Sequence, residues 1–272
     1  MQCILTALKA ESQPLIDHFK LKRDSSFSFP IFRNDTFYLI ALGVGKKKIR
    51  HRIVTLYETI QSNNIQFINV GIAGGNRDST QIGNCYFLNK IDDEPTGESY
   101  YPDSLIQHNI EEKSLVTVEQ VVSNGDGSYI GLVDLEASEI FKVCSSIVPI
   151  HRLAFLKIVS DHMDIEFEEI LAQPISKLIL NQITLIEKFL IQFNNLAKEE
   201  SPILSKNDME WILKTKQKIS LTETQHHQLL QKSKGFRLRK TDELFPEIDL
   251  KLPINKTAQK LYFKYLCEKL SA

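Results

Sequence analysis

The chain has 272 residues, 42 % of them hydrophobic and 25 % charged, with 33 Lys and Arg against 34 Asp and Glu. That balance fits one large folded unit, or one unit with an appendage, and excludes a protein held to nucleic acid or anionic membrane by net charge alone. Cys3, Cys85, Cys144 and Cys267 show no C-x-x-C spacing, so they read as reduced, small apolar residues rather than metal or redox ligands.

In chain order, "CILTAL" (3–8) predicts a buried strand, and the Lys9 and Glu11 that follow argue against a secretory leader. A helix is expected from about Glu11 to Phe19, a second strand in "TFYLIAL" (36–42), then "GVGK" and a helix through Ile60. "QFINVGIAGG" (66–75) reads as a strand entering a glycine turn, with further strands in "IGNCYFLNKI" (82–91) and "SLVTVEQVV" (114–122). Helical spacing returns in "GLVDLEASEIFKVCSSI" (131–147), and "LAFLKIVSD" (153–161) is a last strand. Strands alternating with helices predict an α/β fold with a central twisted mixed sheet flanked by helices.

After Asp164 the pattern turns helical. Residues 166–197 read as one long helix or two broken ones, and 206–234 as two amphipathic helices split near "ISLTE", with Ser220 or Thr222 as N-cap. "TDELFPEIDLKLP" reads as a turn before a last helix from about Asn255 to Leu270. From Ser201 onward fourteen Lys and Arg meet eight Asp and Glu, a charge step that supports a boundary. The expected division is 1–185, an α/β domain, and 186–272, an added C-terminal helical segment. Basic residues such as Lys214, Lys216 and Lys218 read as a solvated helical face rather than a nucleic-acid surface. With no apolar run near ~20 residues, no membrane span is expected, and a reducing cytoplasm is the default setting.

The glycine motifs carry little alone. "GVGK" lacks the earlier glycine of a phosphate loop, since Ile40 stands there, and "GIAGG" has Ala73 where a dinucleotide fingerprint needs its second glycine. Both lie where a strand is expected to end, the edge at which α/β sheets gather ligands. Three carboxylates share that placement: Glu11, Glu136 and Asp161. Each has a local explanation, as a first-turn acid or a helix cap. Together, at three strand-to-helix junctions, they can converge on one rim.

These stretches resemble the purine nucleoside phosphorylase/nucleosidase superfamily, and within it the methylthioadenosine/S-adenosylhomocysteine nucleosidases. "ALKAES" is similar to an Ala-Met-x-x-Glu opening, "LGVGK" to Ser-Gly-x-Gly-Lys, and "INVGIAGG" to Asn-x-Gly-x-Ala-Gly-Gly. "VDLEAS" is similar to Val-(Asp/Glu)-Met-Glu-Ala, and "KIVSDHMD" to Arg-x-(Ile/Val)-Ser-Asp-x-x-Asp. The five matches fall in the family's order across roughly residues 2–180. The resemblance implies a nucleoside phosphorylase-like fold, cleavage of an N-glycosidic bond, a homodimer, and no metal or organic cofactor. It makes Asp161 the acid that protonates purine N7, with Ser160 orienting it, Glu11 the base on water, and Glu136 the holder of the ribose diol. Val121 and Val122 fall where the purine edge is read, and Gly71, Ala73 and Gly74 beside ribose and water.

Four positions depart from the pattern. Ile72 replaces a serine that helps hold the attacking water, and Lys157 replaces an arginine near that water, keeping charge but losing the fork. Val121 replaces the aromatic that stacks on the base, and Leu135 the methionine beside the ribose. The leading expectation is a hydrolase of purine nucleosides or 5′-thionucleosides. A phosphorylase is the alternative, for which Arg77 and Lys46 are the candidate phosphate ligands. A third is a nucleoside-binding protein that has lost catalysis, as Ile72 permits.

Overall fold

The computed structural model describes residues 1–60, 64–125, 127–199, 203–241, 243–247 and 256–271. They divide into two compact units, Met1–Glu199 and Glu200–Ala272. In the first, strands β1 (Gln2–Thr6), β2 (Lys22–Arg23), β3 (Ile31–Arg33) and β4 (Phe37–Ala41) precede the long β5 (Gln66–Gly75). Then come β6 (Cys85–Asp93), β7 (Glu98–Tyr100), β8 (Glu112–Thr117), β9 (Leu132–Asp134) and β10 (Leu153–Asp161). These strands form one mixed sheet in the order β10-β6-β8-β9-β5-β1-β4-β3-β2, with β7 paired to β6. β5 also pairs with β10, so five strands close on themselves.

β1 runs parallel to β4 and β5, and β5 parallel to β10. Four carboxyl ends therefore open on one edge, where glycines and short side chains let ligands approach. β10 is buried along its whole length, and its alternation feeds two cores. Leu153, Phe155 and Val159 enter one; Ala154, Leu156 and Ile158 enter the other. Each fully buried side chain of this size contributes roughly 1.5–3 kcal/mol, which holds the strand that carries Asp161 in a fixed register.

Helices α1 (Lys9–His18), α2 (Ile49–Ile60) and α3 (Ala137–Ser145) flank the sheet, followed by α4 (Phe167–Ala172), α5 (Ile175–Asn181) and α6 (Ile183–Glu199). Residues 166–197 thus hold three helices, because Pro174 forces Gln173 into extended backbone, ψ 157°. α6 runs across residue 185, and its Ile186, Phe189, Leu190 and Phe193 belong to the second core of the first unit. The step between units accordingly falls after Glu199.

Other expectations change as well. The strand expected over 114–122 ends at Thr117, where Val118 N–H turns aside to the carbonyl of Asp134. The expected 131–147 helix begins only at Ala137, since residues 132–134 pair with β8 and β5. "GIAGG" is extended strand through Gly75, not a turn. β2, β3 and β7 are too short to have shown a sequence pattern.

In the second unit, α7 (Lys206–Lys218), α8 (Glu223–Arg239) and α9 (Lys256–Ser271) bury Ile212, Leu229, Phe236, Phe263 and Leu266 in one core. Thr222 is the N-cap of α8, its hydroxyl accepting from Gln225 N–H, whereas Ser220 sits at φ 47° outside the helix. Part of the turn expected over 241–253, and Asn255, lie outside the described residues. Among the described residues no helix is long and apolar enough to cross a membrane.

Candidate active site

The shared carboxyl edge opens into a cavity of about 600 Å³ with its open mouth included. Ala7, Leu8 and Glu11 line it after β1, Val44 after β4, Ile72, Ala73 and Gly74 from β5, and Ser160 and Asp161 from β10. Val133, Asp134, Leu135 and Glu136 line it from β9 and the start of α3; Val118, Val121, Val122, Met163, Phe167 and Ile170 complete the wall. Glu11, Glu136 and Asp161, far apart in sequence, thus meet in one space. Of the residues named from sequence, Gly71, Lys157, Lys46 and Arg77 are not among the lining residues, and the rest line it.

Glu11 is 2 % exposed and fully engaged. Its Oε2 accepts the N–H groups of Ala7 at 2.7 Å and Leu8 at 2.8 Å, and its Oε1 accepts Ile72 N–H at 2.8 Å. The local explanation therefore holds in part, because Glu11 closes the first turn of α1 while facing the cavity. Burial raises its pKa against the pull of those N–H groups and of Lys157. Gly71 is what makes room: a Cβ there would lie 2.9 Å from Glu11 Oε1.

Glu136 accepts Gly45 N–H at 2.7 Å through Oε1. The turn that delivers this N–H needs left-handed backbone at Gly43 and Gly45, φ 79° and 81°. Burial, then the neighbouring charge of Asp134, pushes the Glu136 carboxyl up to about 7, with Lys157 and the Gly45 N–H opposing. Asp134 was missed as a site residue, although it stands two residues from Glu136 in "VDLEAS". Its Oδ2 lies 2.8 Å from Lys157 Nζ, its Oδ1 accepts Thr117 Oγ1 at 2.8 Å, and both oxygens accept Ala137 N–H.

Asp161 holds two hydrogen bonds, from Ser160 Oγ to Oδ2 at 2.6 Å and from Met163 N–H to Oδ1 at 2.8 Å. The second requires Met163 at φ 60°, a left-handed residue that no sequence signal announces. Gly74 clears the space, since a Cβ there would meet Met163 Cγ at 2.8 Å and Asp161 Oδ1 at 3.3 Å. Phe167, also missed, opens α4 and brings the one aromatic ring found among the described lining residues.

The two candidate phosphate ligands are occupied. Lys46 pairs with Asp93, and Arg77 with Asp164 at 2.6 Å. Among the described lining residues there is no Lys, Arg or His, and among all described residues no cluster of ligands suits a metal ion.

No family model matches the chain, and no curated protein matches it. Solved structures do. The methylthioadenosine/S-adenosylhomocysteine nucleosidase of Streptococcus pneumoniae, with a transition-state inhibitor, aligns with TM-score 0.58 at 15 % identity over 71 % of this chain and 99 % of its own. The fold is the nucleosidase fold. The apo 5′-methylthioadenosine nucleosidase of Arabidopsis thaliana gives TM-score 0.58 and 14 % identity over 74 % and 96 %. An S-adenosylhomocysteine nucleosidase of Streptococcus pyogenes gives 0.58 and 16 % over 70 % and 95 %. At such identities the nucleosidase fold is established, and the chemistry has to be argued from this chain's own residues.

Proposed function

We propose that the protein hydrolyses the N-glycosidic bond of a purine nucleoside or 5′-thionucleoside. The observation that carries this reading is the meeting of Glu11, Glu136 and Asp161 in one largely apolar cavity at the carboxyl edge of the sheet. As the glycosidic bond breaks, its electron pair moves to the purine and positive charge grows on the sugar. Asp161, oriented by Ser160 and Met163 N–H, gives a proton to N7. Glu11 takes a proton from the water that attacks C1′, and Glu136 accepts the ribose hydroxyls. General acid and base groups of this kind are each worth about 10²–10⁴-fold in rate. Val121 and Val122 border the purine, Leu135 the ribose, and the neighbours' ligands, a transition-state inhibitor and 8-aminoadenine among them, suit a site of this shape.

Hydrolysis is favoured over phosphorolysis by charge. No cation among the described lining residues is placed to receive a phosphate, Glu11 and Glu136 would oppose one, and Lys46 and Arg77 already have carboxylate partners. A homodimer and a cytoplasmic setting belong to the same proposal, as does a separate role for the basic second unit.

A panel of purine nucleosides and 5′-thionucleosides, assayed for free base with and without phosphate, tests the reading. Base released in phosphate-free buffer is the expected result. Release only with phosphate would make the protein a phosphorylase, and no release from any member would leave a binding protein.

A further inference from the structure

Resting on the reading above, we infer that Lys157 is a positioning residue whose ammonium neutralises Asp134 behind the cavity wall, leaving Glu136 free to ionise against the ribose diol. It is not among the side chains that line the cavity. Lys157 lies mid-strand in β10, opposite Gly71 of β5 and Tyr86 of β6. Its side chain is 3 % exposed and that of Asp134 2 %, with 2.8 Å between Nζ and Oδ2. Breaking a buried pair of this kind leaves an uncompensated charge, which is strongly unfavourable.

The surroundings explain why the compensation matters to the site. Asp134 reaches Lys157 from β9, and the charges of Glu136, at the start of α3, and Glu11, on α1, also act on it. Tyr86 on β6 has its hydroxyl engaged by Gln81 N–H, and Gly71 on β5 offers no side chain. Three carboxyl groups therefore share one ammonium. Burial pushes the lysine toward the neutral form, but Asp134, Glu136 and Glu11 more than offset it and keep the ammonium charged. Asp134 is held by Lys157, Thr117 and Ala137 N–H, which fixes its carboxyl group beside the ammonium. The resemblance set Lys157 beside the attacking water; its position behind Asp134 gives it a different task.

The test follows the Glu136 carboxyl directly, by carbon NMR of protein labelled at the glutamate carboxyl carbon, with Glu136→Gln assigning the signal. In Lys157→Met the Glu136 titration should move up by about one pH unit or more. In Asp134→Asn/Lys157→Met, which removes both charges, it should return close to wild type. If turnover is found, the acid limb of the kcat/KM pH profile should follow the same pattern, with Lys157→Arg close to wild type. An unmoved Glu136 titration in Lys157→Met overturns the inference, as does a double variant that stays displaced. If Lys157→Met does not fold, the double variant decides alone: it must fold and titrate like wild type. Because the titration needs no turnover, an inactive protein with a displaced signal sinks the proposed reaction and spares this role. An active one with an unmoved signal does the reverse.

Discussion

Ile72 N–H donates to Glu11 Oε1 at 2.8 Å, so a position whose side chain cannot hydrogen-bond still holds the carboxylate through its backbone. The side chain meanwhile packs against the second core. Glu11 is thereby fixed from two strands at once, through Ala7 and Leu8 after β1 and Ile72 in β5. Gly71→Ala is the most direct way to disturb it. Its Cβ would lie 2.9 Å from Oε1, and three N–H donors oppose any movement of that oxygen. Displacing a catalytic group by a fraction of an ångström to an ångström costs up to about 100-fold in rate. The expected result is a fall in kcat/KM of about 10- to 100-fold, with stability lowered by only about 1–2 kcal/mol. Steady-state kinetics beside a denaturant titration check both. An alanine variant with wild-type kinetics would mean that Glu11 is not the base.

Glu136 makes stability depend on pH in an unusual direction. Its folded carboxyl titrates at about 7 against a reference of 4.5, so between those values the folded chain binds the proton more tightly than the unfolded one. The contribution is full below about 4.5 and is lost as pH climbs to about 7. Glu136→Gln removes the titration. It should gain stability relative to wild type across that interval, by on the order of 2–3 kcal/mol, and the gain should level off above it. Urea midpoints from pH 4.5 to 8.5 measure this. A constant difference at all pH values would show that Glu136 titrates normally.

The sites legible in the sequence are those where chemistry and strand ends coincide. Glu11, Glu136 and Asp161 are carboxylates at the junctions between apolar strands and the segments that follow, and burial without a task is costly for a carboxylate. Gly71 and Gly74 were visible too, but for another reason than expected: neither has positive φ, and both are there because a carboxylate or Met163 fills the Cβ position. Asp134 was overlooked because a helix-start acid already had a sufficient local explanation, and only its contact with Lys157, from a distant strand, sets it apart. β9 was hidden for a similar reason. Three residues carry no period of their own, and pairing with β8 and β5 overrides the helical spacing around them.

Asp161→Asn should separate binding from chemistry. The amide can still accept Met163 N–H, now 2.8 Å from Oδ1, while losing the proton that N7 needs. A drop in kcat of about 10²–10⁴-fold is expected, with the affinity for an unreactive nucleoside analogue changed little. Ser160→Ala should act in the same direction but more weakly, about tenfold, since it removes one orienting hydrogen bond worth about 1–1.5 kcal/mol. Single-turnover rates and calorimetric affinities distinguish the two effects. Loss of affinity equal to loss of rate would refute the acid role.

Val121 lines the cavity where a stacking ring is expected and is only half-buried. Val121→Phe has room toward solvent and adds an aromatic face. A stacked contact contributes about 1 kcal/mol, so KM for a purine nucleoside should fall about fivefold with kcat little changed. A pyrimidine nucleoside, with its smaller face, should gain less. Equal gains for both bases, or none, would place the base elsewhere in the cavity.

The second unit has its own keystone in Arg237. Its guanidinium makes a two-pronged pair with Asp208, at 2.9 and 2.6 Å, and donates to the carbonyls of Lys240, Thr241 and Glu243. It also lies 4.6 Å from the centre of the Phe245 ring. Asp208 in turn accepts Ser205 N–H and sits in the first turn of α7, so one side chain joins the start of α7 to the segment after α8. Arg237→Ala removes the fork, the stacking and the carbonyl contacts together, and leaves the Asp208 carboxylate, 3 % exposed, without its cation. The cost should be about 3–5 kcal/mol, a large share of the stability of a helical unit of this size. Lys in its place keeps the charge without the fork and should recover less than half. Circular dichroism and limited proteolysis should find the second unit opened in Arg237→Ala, while base release by the first unit, if it is independent, persists. Unchanged protease resistance would show that the apolar core of Ile212, Leu229, Phe236 and Leu266 holds the three helices without this network.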